Sequence, residues 1–182
     1  MTTTTTETAV TTQVYRVYIK ATPQAIWDAI TKPEWSARYG YGGRADFDLR
    51  PGGVAREFAS DAMKRAGEEM GYPTPDVIVD GEVIEADPPH RLVRTWRMMM
   101  DPELMAEGFT RLTYEISAGK GGVSKLTVIH ELDGAPKLAR LVSGDREAEG
   151  AGGGWNWVLS DLKTLLESGS SMDPGDPLNQ GA

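Results

Sequence analysis

The stretch from Gly152 to Glu167, GGGWNWVLSDLKTLLE, constrains this chain more than any other. Val158, Leu162, Leu165 and Leu166 fall on one arc with Trp155 and Leu159, the spacing of an amphipathic helix. Asn156, Ser160, Lys163 and Glu167 take the other side. Three glycines precede the run and Ser168-Gly169 stops it. Almost everything before it reads as strands. One long helix with an apolar face needs a partner surface, and a single sheet is the surface available.

A chain of 182 residues is long enough for one domain with a real core. The absence of cysteine excludes disulfides, thiolate catalysis and thiolate-bound metal. A formal net charge of −8 argues against nucleic-acid or anionic-membrane partners. No apolar run approaches the roughly 20 residues of a membrane span. Residues Met1 to Thr12 are threonine-rich, with neither a basic start nor an apolar run, so no signal peptide is read there and a cytoplasmic location is expected. The expected organisation is a disordered tail over 1–12, one domain over 13–168 and a second disordered tail over 169–182.

Gln13 to Lys20 alternates, with Tyr15, Val17 and Ile19 on one side and Arg16 and Tyr18 on the other, which predicts a half-buried strand. Thr22-Pro23 supplies an N-cap and an N1 proline for a short helix through Ile30, ended by Lys32-Pro33. A second short helical turn, Glu34 to Arg38, carries Trp35. Ala45 to Leu49 and Val54 to Ala59 read as a hairpin turned by Arg50-Pro51-Gly52-Gly53. Residues 60–76 interrupt the strand rhythm. Their first part, 61–70, is compatible with a helix, and their proline-rich end is not. Four strands follow, over Val77–Ala86, Arg91–Met98, Thr110–Ala118 and Ser124–Leu132. Pro136 to Val142 reads as a short helix before the long one. Sequential antiparallel strands would curl around that last helix and leave a cleft.

Ala21-Thr22-Pro23 with Ile26-Trp27-Asp28-Ala29 resembles the opening of a known family. Arg50-Pro51-Gly52-Gly53, Asp87-Pro88-Pro89-His90-Arg91-Leu92-Val93 with Thr95-Trp96-Arg97, Leu126 to His130, and Gly154-Trp155 with Leu159 and Leu162 follow in family order. The set resembles the family related to the activator of the heat-shock-protein ATPase, within the START-like, helix-grip superfamily. The resemblance covers roughly Val14 to Glu167. It implies an α+β fold, a curved antiparallel sheet gripping the C-terminal helix over an apolar cavity, with two short helices after the first strand. It does not fix a function, because the superfamily spans lipid carriers, polyketide cyclases, co-chaperone domains and proteins that sequester reactive antibiotics. The insertion over 60–76, the additional Trp157 and the glycine-rich Pro136–Gly153 depart from the simplest family pattern.

Candidate site residues follow from the strand phases. Leu92, Arg94, Trp96 and Met98 share a face, which aims Arg94 inward. A buried guanidinium needs an anion or several acceptors, so Arg94 either receives an acidic group of a ligand or pairs with an internal Glu. Arg56, between Val54 and Phe58, raises the same question. His130 shares a face with Leu126 and Val128; it is either a general base or ligand donor, or a core histidine satisfied by a neighbour. The ligand-binding set is Trp35, Tyr39, Tyr41, Phe58, Arg94, Trp96, Met98, Met100, Phe109, Tyr114 and His130, aromatic and methionine side chains suited to an adaptable pocket. Trp35, Tyr39, Met98, Met100 and Phe109 lie near loops and are the mouth candidates. Trp27 and Trp155 are assigned to the core.

His130-Glu131 has no second histidine of a zinc-protease motif, no phosphate loop or nucleophile elbow occurs, and no metal set or cofactor is expected. The leading expectation is therefore a non-catalytic binder of an apolar or aromatic small molecule that it carries or sequesters, acting as a monomer or weak homodimer. The alternative is a cyclase-like enzyme in which Tyr114 and His130 move protons and Arg94 holds an enolate. A co-chaperone role ranks below both, because the eukaryotic activators carry a further N-terminal domain where this chain has a short threonine-rich tail.

Overall fold

The computed structural model describes residues 11–174. The expected alternation at the start is strand β1 (Thr12–Ile19), followed by α1 (Pro23–Thr31) and α2 (Pro33–Ser36). Thr22 caps α1 by accepting from the Ala25 N–H at 3.1 Å. The hairpin is β2 (Arg44–Phe47) and β3 (Ala55–Phe58). After it comes helix α3 (Asp61–Glu69), capped by Ser60, so the first part of the interrupting segment is helical. The later strands are β4 (Val77–Asp80), β5 (Val83–Asp87), β6 (Arg91–Met98), β7 (Thr110–Ala118) and β8 (Ser124–Glu131). Helix α4 (Pro102–Ala106) separates β6 from β7, and α5 (Pro136–Val142) precedes α6 (Gly154–Ser168).

All the strand pairs are antiparallel, and the sheet order is β1-β8-β7-β6-β4-β3-β2, with β5 also paired to β6. The fold is α+β, a curved antiparallel sheet with the C-terminal helix on its concave side. Two local expectations are corrected. The strand expected over 77–86 is broken at Gly81-Glu82, because a side chain on Gly81 would meet the Thr95 carbonyl at 2.1 Å. Only glycine admits that approach, and the irregular register beside it bends the sheet. Helix α4 was not foreseen; Asp101 caps it, accepting from the Glu103 N–H at 2.8 Å.

The core is continuous from sheet to helix. Leu92, Leu112, Leu126 and Val128 meet Trp155, Leu159, Leu162 and Leu165 of α6, and Ile26, Trp27 and Ile30 of α1 join them. Trp27 and Trp155 are core residues, as assigned. Gly169 ends α6 in the left-handed conformation. Beyond it the chain folds back, and the Met172 N–H donates to the Asp161 carboxylate at 2.6 Å.

Gly154 opens α6 at φ +62°, and a Cβ there would lie 2.2 Å from the Val142 carbonyl. The glycine run thus lets the end of α5 pass against the start of α6. Among the described residues, no helix is long and apolar enough to cross a membrane.

Candidate functional site

Register assembles the site. Arg94 on β6 faces Leu112 on β7, which faces His130 on β8, and the next row is Leu92, Tyr114 and Val128. Strand alternation turns both rows toward α6, so three polar side chains enter an apolar interior. Arg94, Tyr114 and His130 are all buried there.

His130 is fully partnered. The Trp155 indole N–H, a donor only, points at Nδ1 at 3.2 Å, which places the ring proton on Nε2. Nε2 therefore donates to the Thr110 hydroxyl at 2.8 Å, and that hydroxyl donates to the Trp96 carbonyl at 3.0 Å. The imidazole meets the edges of Trp96 and Trp155 at ring separations of 5.4 and 6.1 Å. Burial, reinforced by the Arg94 charge, pushes its pKa down to about 3. His130 is thus a buried histidine with both ring nitrogens satisfied by neighbours.

Arg94 has no solvent exposure. One Nη donates to the Glu57 carboxylate, and the other makes a long contact of 3.4 Å with the Ala55 carbonyl. Its Nε has no partner. The guanidinium lies over the Phe47 ring, 4.7 Å from its centroid. Burial pushes Tyr114 up to about 12, opposed by the neighbouring Arg94 charge and by a hydrogen bond with the Arg94 side chain, and aided by Glu57. Burial also holds Tyr39 well above the ordinary tyrosine range, while its hydroxyl donates to the Ala29 carbonyl at 3.1 Å.

The internal Glu was legible in principle. Ala55 and Glu57 of β3 fall in alternation with Ala59 just beyond it, and the two alanines are buried. The inward face expected there, through Val54, Arg56 and Phe58, is the wrong phase. Val54 is exposed, and Arg56 points outward to Asp80 at 3.1 Å. The two alanines pack inward, and alternation carries Glu57 to the same face. Phe58 sits at a register irregularity, half-buried.

The other predicted residues divide between the interior and the rim. Tyr39 and Trp96 are buried in the core, so Tyr39 is not at a mouth. Trp35 is half-buried beneath the Arg38 guanidinium at 4.8 Å, and Met98 packs at the core's margin. Tyr41, Met100 and Phe109 are exposed. Phe109 lies against Arg97 at 4.3 Å, and the Tyr41 hydroxyl accepts from the Gly154 N–H at 3.2 Å. Sequence reasoning missed Glu57, Phe47, Thr110, Asp161 and Trp157 as site or positioning residues. Asp161 is wholly buried in α6 and accepts from the Gly40 N–H at 2.8 Å. Trp157 donates its indole N–H to the Gly40 carbonyl at 3.4 Å. These two side chains and Tyr41 tie the loop over 39–43 to the helix.

Two depressions of about 350 and 310 Å³ lie on the surface, one between α4 and α5 and one beside the Asp87–Arg91 turn. None of the predicted binding residues lines either of them. Among the described residues, no group of three or more His, Asp or Glu could hold a metal.

A curved antiparallel sheet closed over one C-terminal helix, with polar side chains inside, defines a helix-grip protein of the START-like class. The chain belongs to the family described as "Activator of Hsp90 ATPase homolog 1-like protein", whose model matches residues 20–167. Its fold is similar to that of DynU16, a protein of the dynemicin biosynthetic locus, with TM-score 0.59 and 21% identity over 88% of this chain and 49% of that one. The chain thus spans about half the length of DynU16. It is also similar to PFC0360w, an HSP90 activator from Plasmodium falciparum, with TM-score 0.58 and 19% identity over 86% of this chain and 96% of that one. CalU16 from Micromonospora echinospora matches with TM-score 0.58 and 19% identity over 93% of this chain and 71% of that one. No curated protein matches the chain in sequence.

Proposed function

We propose that the protein binds an apolar or aromatic small molecule between its sheet and C-terminal helix without transforming it, and that this molecule is a natural product it carries or sequesters. The observation that carries the reading is Arg94, a fully buried guanidinium with an unpartnered Nε among Phe47, Tyr39 and Tyr114. A buried charge left short of partners is costly and calls for an explanation, which a bound acidic group would supply. Aromatic walls with one polar anchor are the usual make-up of a small-molecule site. Entry to the interior requires movement of the 39–43 loop, which the core packing of Tyr39 and the hydrogen bonds at Gly40 hold to α6. The similarity to DynU16 supports the natural-product class.

The cyclase-like alternative has less support. His130 is neutral with both nitrogens engaged, and Tyr114 is held far above neutral pH, so neither is poised for proton transfer. The co-chaperone reading rests on the family description and on PFC0360w; stimulation of Hsp90 ATP turnover by the purified chain would favour it. In the proposed role the protein works as a monomer or weak homodimer in the cytoplasm.

The test is native mass spectrometry of protein purified from its own host, followed by titration of the identified compound against tryptophan fluorescence. A bound small molecule that perturbs the emission is expected. Protein that carries nothing and gives no fluorescence response to a panel of aromatic compounds would end the proposal.

A further inference from the structure

The geometry points to a specific ligand class: Arg94 is the receptor for an acidic oxygen group on the bound molecule, and Glu57 is an internal stand-in that this group displaces. The inference rests on the reading that the sheet–helix interior takes a ligand. It adds that the ligand joins a flat apolar body to one carboxylate, phenolate or enolate.

The two partners lie at different depths. The Arg94 side chain is fully buried, whereas the Glu57 side chain keeps 27% of its surface in solvent. Glu57 can swing into water and recover hydration, while Arg94 has no such exit. The pairing is also incomplete. A guanidinium presents Nε–H and one Nη–H side by side, a fork that matches both oxygens of a carboxylate. Glu57 meets only the Nη, and Nε stays empty. An incoming acidic group seated on that edge would fill both donors.

The space around the carboxylate suits exchange. Its Oε2 lies under Gly43, where an added Cβ would come 3.4 Å from that oxygen and 3.2 Å from Ile78. Gly43 has no side chain to cover it, and the Glu57 side chain stays partly open to solvent on that side. Behind the guanidinium, the Phe47 ring supplies a flat wall.

The experiment compares 2-naphthoate with its methyl ester, which has the same aromatic body and no charge. Each is titrated against tryptophan fluorescence in the wild-type protein, in Glu57→Gln and in Arg94→Gln. The acid should bind the wild type more tightly than the ester by about tenfold or more, the worth of one charge-assisted hydrogen bond. Glu57→Gln should widen that ratio by removing the competitor, and Arg94→Gln should abolish it. Equal or weaker binding of the acid, with a ratio that Glu57→Gln does not widen, overturns the inference and leaves the ligand reading standing. If neither probe binds the wild type, this inference falls, and the ligand reading is decided by the native mass spectrometry of host-purified protein. Should either variant fail to fold, the acid-to-ester ratio of the wild type decides alone.

Discussion

His130 lies buried with both ring nitrogens engaged. Its proton is fixed by a one-way chain from Trp155 through His130 and Thr110 to the Trp96 carbonyl, each donor having one acceptor. The unfolded chain protonates this imidazole near pH 6.5, while the folded protein resists until about pH 3. Below pH 6.5 the unfolded state therefore binds more protons, and folding stability falls as pH falls, by up to about 1.4 kcal/mol per pH unit. The contribution is fully present above pH 6.5. The urea midpoint of the wild type should drop faster than that of His130→Gln between pH 6.5 and 4. A constant difference between the two proteins over that range would show that His130 is not buried neutral. Thr110→Val should cost about 1–3 kcal/mol at neutral pH, since the Nε2 proton and the Trp96 carbonyl both lose their partner. A cost below the error of a denaturation curve would mean the chain of bonds is not formed in solution.

At the scale of elements, α6 has two jobs. One face closes the core through Trp155, Leu159, Leu162 and Leu165. The other job falls to Asp161, Trp157 and the Gly154 N–H, which hold the loop over 39–43. Asp161 also anchors the returning chain at Met172, so one buried carboxylate ties two segments to the helix. Asp161→Ala leaves two backbone N–H groups without their acceptor, at a cost of about 1–3 kcal/mol. Amide hydrogen exchange should quicken at Gly40 and Met172 in that variant, with the β7–β8 amides protected as before. Unchanged exchange at both glycine and methionine would show that the loop is held by something else.

For the whole molecule, the sheet and the helix stabilise each other or neither persists. Leu162 is almost wholly buried between them. Leu162→Ala should cost about 2–5 kcal/mol in urea denaturation, by lost burial and a cavity. Leu162→Asp should prevent folding, because its charge would be buried unpaired. A folded Leu162→Asp with wild-type stability would mean that α6 is not the core element.

Much of this architecture is local information and was legible in the chain itself. Alternation placed β6 and β7 residue for residue, proline and threonine marked α1, and the arc of leucines marked α6, because strand and helix periods are written into neighbouring residues. The family resemblance added the way the sheet grips the helix. Facing directions near irregularities were not local. The phase of β3 showed only in the burial of Ala55 and Ala59, and the break at Gly81 lies where Thr95 of another strand comes close. The partners of the polar residues were least legible. Sequence could say that Arg94 faced inward and needed an acceptor, and that His130 was either base or core. Only the tertiary structure brought Glu57 from 37 residues away and Trp155 from 25, since a hydrogen bond is decided by distances of a few ångströms between elements that share no sequence neighbourhood.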